Sequence, residues 1–514
     1  MNLGYHLRRN ARLTPNKACI IDRGQTVTWQ QLDEVSDRLA ATLQAWGLEK
    51  GARILTFMDN GTVPLVVYAA AVKYGFVLSP LNFRLTAREL HQAVEDAEPS
   101  LILYDSGLAE VVDQVLSDLP QIAIVKVDMA ASLGSSLGLP TELLQVNEPP
   151  AQVAVAEEDL AILIFTSGTT ARAKGVCLTH GHQLVHAPIA AVEYELSELS
   201  RSLIAYPYSS AAAWSLSIVP SMMLGATVIV ESAREFRAVT FLQCLAGNQV
   251  SHTNMVPTQL IRVLEYPDLT DFDLSHLVTI GYGSAPLPPD RVRRSLELFG
   301  PILVQVYGMS ELCSIGTMLS KNAHKEAVDG DESRLASCGR ASYSIEVDVV
   351  SDDGSPVARG EIGEVRFRGP YVSDHYWRNP EATSAAFRDG WLYSGDLARM
   401  DETGFLYIVD RKNDMILSGG ANVASKEVED VLCAHPDVLE CAVVGVPDDE
   451  WGERVHAFVV LRDGAPSDEG NLAAWCREEL ADYKRPRSFD MRSELPKNST
   501  GKILKNRLRQ GAIA

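Results

Sequence analysis

The chain has 514 residues, 46% of them hydrophobic and 22% charged, with a formal net charge of −21. That length is too great for one core and predicts two or more domains, and the acidic balance argues against a nucleic-acid partner or an anionic membrane surface. Eight cysteines are scattered with no C-x-x-C pair and no zinc-spaced His/Cys cluster, no apolar run reaches the roughly 18 residues of a membrane span, and the N-terminus has no apolar signal core, so the cytoplasm is the expected compartment.

Residues 1–150 alternate helix and strand signals. Thr28 and Gln31 spell a capping box, followed by Leu32, Val35, Leu39 and Leu43 at helical spacing and by Gly47 as a stop. Residues 54–58 read as a strand, 63–74 as a buried helix and 76–81 as another short strand. Thr86 and Glu89 form a second capping box ahead of Leu90 and Val94, and 101–104 is strand-like again. This alternation predicts a layered α/β domain with a largely parallel sheet. Residues 134–158, with Gly, Pro and acidic side chains, read as a surface connection.

The connection leads into the most informative stretch. Residues 162–165 read as a short buried strand, and 176–178 resume an apolar run. Between them lie Thr166, Ser167, Gly168, Thr169 and Thr170, closed by Lys174 and Gly175. Such a loop offers backbone N–H groups, hydroxyls and one ammonium to a polyanion, and Gly168 lets a phosphate approach the backbone. By composition alone, a Ser/Thr-rich turn between strands is the favoured reading. The phosphate loop of nucleotide hydrolases, G-x-x-x-x-G-K-[ST], does not fit, because Ala173 and Gly175 stand where its second glycine and its hydroxyl belong.

Further along, 202–206, 227–230, 277–282 and 302–307 read as strands. Gly283-Ser-Ala-Pro286 and Tyr307-Gly-Met-Ser-Glu311 follow the last two, at the strand ends where open α/β sheets bind ligands. Residues 338–409 alternate like a half-exposed antiparallel sheet, with hairpin-type turns at Asp352 and Asp401. A polar segment, Asp410 to Asp414, precedes a last hundred residues that read α+β: helix near 426–434, strands 440–444 and 455–461, helix 470–480. The tail from Lys484 to Arg509 is locally basic, which by itself reads as a solvated face.

Taken together and in this order, these stretches resemble the AMP-forming acyl-CoA synthetases of the adenylate-forming superfamily, whose phosphate loop is T-S-G-T-T-G-x-P-K-G. Ala171 and Ala173 depart from that pattern. The resemblance spans nearly the whole chain and implies a large N-terminal α/β domain with layered sheets, residues 1–410, carrying a β-rich subdomain at about 338–409. A small, mobile α+β domain, 411–514, follows a hinge near Asn413.

The resemblance also implies roles. Thr166 to Thr170 and Lys174 would hold ATP phosphates, Gly283, Ser284 and Ala285 would face adenine, and Tyr307 with Gly308 would pack on it. Ser310 stands where the family usually has Thr. Glu311, with Thr170, would hold Mg2+, a hard cation suited to oxygen ligands. Asp396, in Trp391-Leu-Tyr-Ser-Gly-Asp396, would accept from both ribose hydroxyls, with Arg411 beside it. Ser418, Gly419 and Gly420 would line a pantetheine tunnel. Lys502, the last residue of Pro496-Lys-Asn-Ser-Thr-Gly-Lys502, would touch the reacting carboxylate and α-phosphate, so that Lys502, Glu311 and Lys174 form the catalytic set. Arg84, Trp451, Tyr483 and Arg485 match, more loosely, positions that meet CoA.

Ser210, Tyr282 and Gly283 fall at the acyl pocket. Ser210 takes the place where amino-acid-activating relatives carry Asp, so the expected acid lacks an α-amine. The implied reaction is ATP-dependent adenylation of a carboxylic acid followed by thioester formation with CoA, and a homodimer is an admissible assembly. Transfer to a carrier protein, or a non-catalytic nucleotide-binding role, are the alternatives.

Overall fold

The computed structural model describes residues 1–116, 122–166, 172–285, 287–418, 420–448, 451–462, 464–497 and 503–513. Two compact units result. The first comprises Met1–Leu335, Ala341–Glu346 and Arg368–Leu392; the second comprises Ala336–Arg340, Val347–Phe367 and Tyr393–Ala514.

In the first unit, one sheet is nine-stranded with a parallel centre. The strands Leu303–Tyr307, Thr279–Gly283, His252–Met255, Arg201–Ile204, Thr227–Val230 and Ala18–Asp22 lie side by side in that order. Antiparallel strands Thr317–Leu319 and Gln25–Thr28 flank this centre. Both turns that follow the strands at 279–283 and 303–307 therefore emerge from neighbouring parallel strands at their carboxyl ends. The other sheet is six-stranded, in the order Ala123–Val127, Leu101–Asp105, Arg53–Phe57, Val77–Leu81, Leu160–Thr166, Lys174–Thr179; only the last pair is antiparallel.

Local sequence explains the helices. Both capping boxes form: Thr28 starts the helix Trp29–Ala45 and Thr86 starts Ala87–Ala97. The helix Thr62–Tyr74 is buried at every position, as an all-round apolar helix must be. Its one cation, Lys73, has a side chain 0% exposed and is paired with Asp33 and Asp37 of the capped helix.

The expected surface connection at 134–158 is partly core. Two short 3-10 turns, Gly134–Ser136 and Thr141–Leu144, bury Leu133, Leu137, Leu139, Leu143 and Leu144. Its leucines, rather than its Gly and Pro, decide its place. A π-helical turn at Ala213–Ile218 was also not predicted.

In the second unit, strands Ile362–Arg368, Trp391–Met400 and Leu406–Arg411 belong to one sheet. A further sheet combines Ile416–Ser418, Ala421–Val423, Val438–Asp448, Gly452–Leu461 and Ser488–Arg492. The helices Ser425–Cys433 and Glu469–Glu479 add Val428, Leu432, Leu472 and Cys476 to a core with Val443, Val455 and Val459 from that sheet, and the helix Lys505–Ile513 adds Leu508 to a second one with Val444 and Phe458. All eight cysteines are free; Cys433 is exposed, its sulfur 3.4 Å from that of Cys441, and the others are buried. Among the described residues, no helix is long and apolar enough to cross a membrane.

Candidate active site

The glycine- and hydroxyl-rich loop joins the two antiparallel strands that end the six-stranded sheet, with Thr166 opposite Lys174 and Phe165 opposite Gly175. The Thr166 hydroxyl donates to the Lys174 carbonyl at 3.3 Å, which closes the base of the loop. Ser167, Gly168, Thr169 and Thr170 lie outside the described residues, as do Gly419 and Lys502. Gly175 has a packing reason: an added Cβ would stand 3.0 Å from the Trp377 Cβ and 3.1 Å from Leu163.

Trp377 belongs to a segment that sequence reasoning passed over. Its N–H donates to the Gly175 carbonyl at 2.7 Å, and the Ser373 N–H donates to the Glu311 carbonyl at 2.7 Å. Tyr376 forms an isolated antiparallel bridge with Val176. Its hydroxyl donates to Glu311 Oε1 at 2.6 Å, and the Lys174 ammonium lies 4.9 Å from its ring centroid. Burial, with the adjacent Glu311 carboxylate, pushes the Tyr376 phenol well above its ordinary range, so it stays a donor. Glu311 is 7% exposed and Tyr376 5%. No motif signals this meeting, because the two are separated by 65 positions in sequence.

The turns at the parallel strand ends are held by close backbone approaches. A Cβ on Gly283 would meet the Val306 carbonyl at 2.4 Å, and one on Gly308 would meet the Ser314 carbonyl at 2.5 Å. Ser284 takes a positive φ of 68°, and Cys313 and Ser314, just after Glu311, take 48° and 76°. Non-glycine residues rarely accept this region; here the loop 309–314 is closed by Ser314 N–H on the Met309 carbonyl at 3.0 Å. Ser284 and Ala285 are exposed, while Tyr307, Gly308 and Ser310 are half-buried.

Tyr282 is packed in the core, with its hydroxyl 2.9 Å from His324 Nε2. His324 Nδ1 lies 2.9 Å from the Ser320 carbonyl, so Nδ1 carries the proton and Nε2 accepts from Tyr282. Ser210 is half-buried, and its Oγ accepts from the Ala212 N–H at 3.3 Å. It thereby caps the turn entering the π-helical segment. Arg84 is exposed and donates to the Ala233 and Arg234 carbonyls at 2.6 and 2.7 Å.

In the second unit, Asp396 is buried and stands opposite Arg411 on adjacent antiparallel strands. The guanidinium Nε is 3.2 Å from Asp396 Oδ1. Asp410 accepts from the Ser425 hydroxyl at 2.8 Å, and Asn413 is exposed in the turn that follows. Ser418 pairs with Ala421 on the adjacent antiparallel strand; Gly420 has φ 81° and open space around its Cβ position. Arg485 donates to the Leu480 and Arg477 carbonyls and to Asp482. Arg487, three residues past Lys484, is the guanidinium that lies 5.3 Å from the Trp451 ring. Tyr483 is 41% exposed.

A divalent cation that travels with nucleotide phosphates keeps several waters and needs only one or two protein carboxylates. Glu311 fits that need: one oxygen is fixed by Tyr376, and a carboxylate has further acceptor capacity. Among the described residues no cluster of three or more His, Cys, Asp or Glu could hold a metal by itself.

Residues 7–377 match the AMP-binding enzyme family and residues 427–502 its C-terminal domain. A feruloyl-CoA synthase from Amycolatopsis sp is 36% identical over 99% of this chain and 98% of its own. The o-succinylbenzoate CoA synthetase of Bacillus subtilis, solved with its acyl-adenylate intermediate, superposes with a TM-score of 0.84 at 30% identity, covering 98% of this chain and 97% of that one. ATP-bound MatB from Rhodopseudomonas palustris superposes with a TM-score of 0.88 at 29% identity, covering 100% and 99%. A match of this extent in sequence and fold has one meaning: the chain belongs to the AMP-binding enzyme family, among its AMP-forming acid–thiol ligases.

Proposed function

We propose that this chain converts a carboxylic acid lacking an α-amine into its CoA thioester, by way of an acyl-adenylate. The observation that carries the reading is the meeting of Lys174 and Glu311 at Tyr376. It brings a cation at the base of the hydroxyl-rich loop and a buried carboxylate to one phenol, which supports binding of a metal–nucleotide complex there. In the first half-reaction an oxygen of the carboxylate attacks the α-phosphorus, and the bond to the pyrophosphate leaving group breaks. Lys174 neutralises phosphate charge, Tyr307 and the Gly283 turn hold adenine, and Asp396 with Arg411 receives the ribose. Lys502 stabilises charge on the reacting carboxylate and α-phosphate. Bound at Glu311, Mg2+ would neutralise charge that develops on the phosphates.

In the second half-reaction the CoA sulfur, having lost its proton, attacks the acyl carbon, and the mixed anhydride bond breaks to release AMP. Ser210 supports the choice of acid: a hydroxyl already accepting from Ala212 offers no counter-charge to an ammonium, and an unpaired buried ammonium is costly. The feruloyl-CoA synthase relative puts aromatic acids first in a screen. The experiment measures pyrophosphate release over aliphatic, aromatic and polycyclic acids, then AMP release with CoA or with carrier proteins. Exchange with no acid at all, or an amino acid matching the best simple acid, would refute the reading. AMP release only with a carrier protein would reassign the acceptor.

A further inference from the structure

Tyr376 is held from several sides before it meets either charged group. Its backbone bridges Val176, and its N–H donates to the Thr383 hydroxyl at 3.0 Å. The neighbouring Trp377 N–H is fixed on Gly175, and the Tyr376 ring packs edge-on against Phe387 at 5.4 Å. A ring so restrained presents its hydroxyl and its face in set directions. The hydroxyl takes one oxygen of Glu311 at 2.6 Å, while the face lies under the Lys174 ammonium at 4.9 Å, within reach of a cation–π attraction.

We propose that Tyr376 is a positioning residue for adenylation: it fixes the Glu311 carboxylate so that the second oxygen serves the metal–nucleotide complex, and it seats the Lys174 ammonium for the phosphates. The inference rests on the reading of Glu311 as the cation's carboxylate and Lys174 as the phosphate cation. A ligand held by a partner outside the coordination sphere loses affinity when that partner goes, typically by about 10–100-fold. One phenol then sets two charges that must act on the same triphosphate, one through its hydroxyl and the other through its ring face.

Tyr376→Phe keeps the ring and removes only the hydroxyl; Tyr376→Leu removes both. Mn2+ binding to the enzyme–ATP complex, followed by electron paramagnetic resonance, reads the Glu311 arm. ATP affinity in excess EDTA reads the Lys174 arm. Tyr376→Phe should weaken Mn2+ about 10–100-fold, leave metal-free ATP affinity within twofold and slow pyrophosphate exchange. Tyr376→Leu should also weaken metal-free ATP binding. In a Glu311→Gln background, Tyr376→Phe should add nothing to the Mn2+ defect, because the two act as one unit. A fall in melting temperature with Mn2+ affinity unchanged would overturn the inference, as would additive defects in the double variant. Wild-type protein that binds ATP but not Mn2+ would overturn the Glu311 reading itself, and this inference with it.

Discussion

At the scale of single residues, Asp396 shows why a site must be read with its partners. As an acceptor-only carboxylate it suits a ribose diol, yet one oxygen is already engaged by Arg411 Nε at 3.2 Å. Asp396→Ala therefore removes the acceptor and also takes that carboxylate away from the Arg411 guanidinium. Asp396→Asn keeps the shape and one acceptor oxygen. We expect Asp396→Ala to weaken ATP binding by about 1.5–3 kcal/mol for each charged hydrogen bond lost, with Asp396→Asn falling between it and wild type. Isothermal titration on variants of unchanged melting behaviour measures this, and equal ATP affinity in all three would remove Asp396 from the nucleotide site.

At the scale of elements, the buried helix Thr62–Tyr74 makes a sharper demand. Lys73 meets Asp33 and Asp37, which sit four residues apart on the neighbouring helix, and it also donates to the Asp33 carbonyl at 3.0 Å. Both carboxylates are about a third exposed, so water partly hydrates them when the cation goes. Lys73→Met should therefore cost less than the 3–5 kcal/mol of a fully buried pair, about 1–3 kcal/mol, measured by denaturant unfolding. Loss of nucleotide binding at unchanged stability would mean the helix pair does more than pack. These elements were legible beforehand because their signals are local: capping hydroxyls at Thr28 and Thr86, apolar runs at 63–74 and 162–165. Thr179 caps the helix His180–Tyr194 with His182 in place of Glu or Gln, a version that no capping pattern would pick out. The turns Gly283–Ala285 and 307–311 were legible as loops after strands. Tyr376 was not, because its role exists only through pairings with Val176 and Glu311 that no spacing encodes. Likewise, Arg485 and Arg487 look interchangeable in sequence, and only packing puts Arg487 over Trp451.

At the scale of the whole molecule, two properties follow from how charge and glycine are distributed. The first is acid sensitivity. Burial holds His186 down to about 3 and His180, His252 and His324 down to about 4, from an ordinary 6.5. Below pH 6.5 the unfolded chain takes up protons that these rings refuse when folded. Their contribution is thus complete above pH 6.5 and is lost as pH falls toward about 4. Each such ring contributes a slope of about 1.4 kcal/mol per pH unit across that window. His186, 0% exposed and with neither ring nitrogen hydrogen-bonded, is the cleanest probe. His186→Leu should flatten the stability profile between pH 6.5 and 4.5 by about one proton, and an unchanged slope would show that its ring is not held neutral.

The second property concerns the two half-reactions. If one surface of the C-terminal unit brings Lys502 to the carboxylate and another brings the Ser418–Gly420 turn to the thiol, no single arrangement serves both. Lys502→Ala should lose adenylate formation by on the order of 10²–10³ in rate yet keep most thioester formation from supplied acyl-adenylate and CoA. Gly420→Leu should do the reverse. Gly420 has open space where a Cβ would go but a φ of 81°, so any side chain there strains the backbone before it obstructs anything. Gly420→Ala carries most of that strain without the bulk and serves as the control. Thioester formation impaired in Gly420→Leu but near normal in Gly420→Ala would identify obstruction of a ligand path as the cause. Equal slowing of both half-reactions by Lys502→Ala and by Gly420→Leu would mean that the two steps share one arrangement, and that the exposed turn at Asn413 is a connection rather than a hinge.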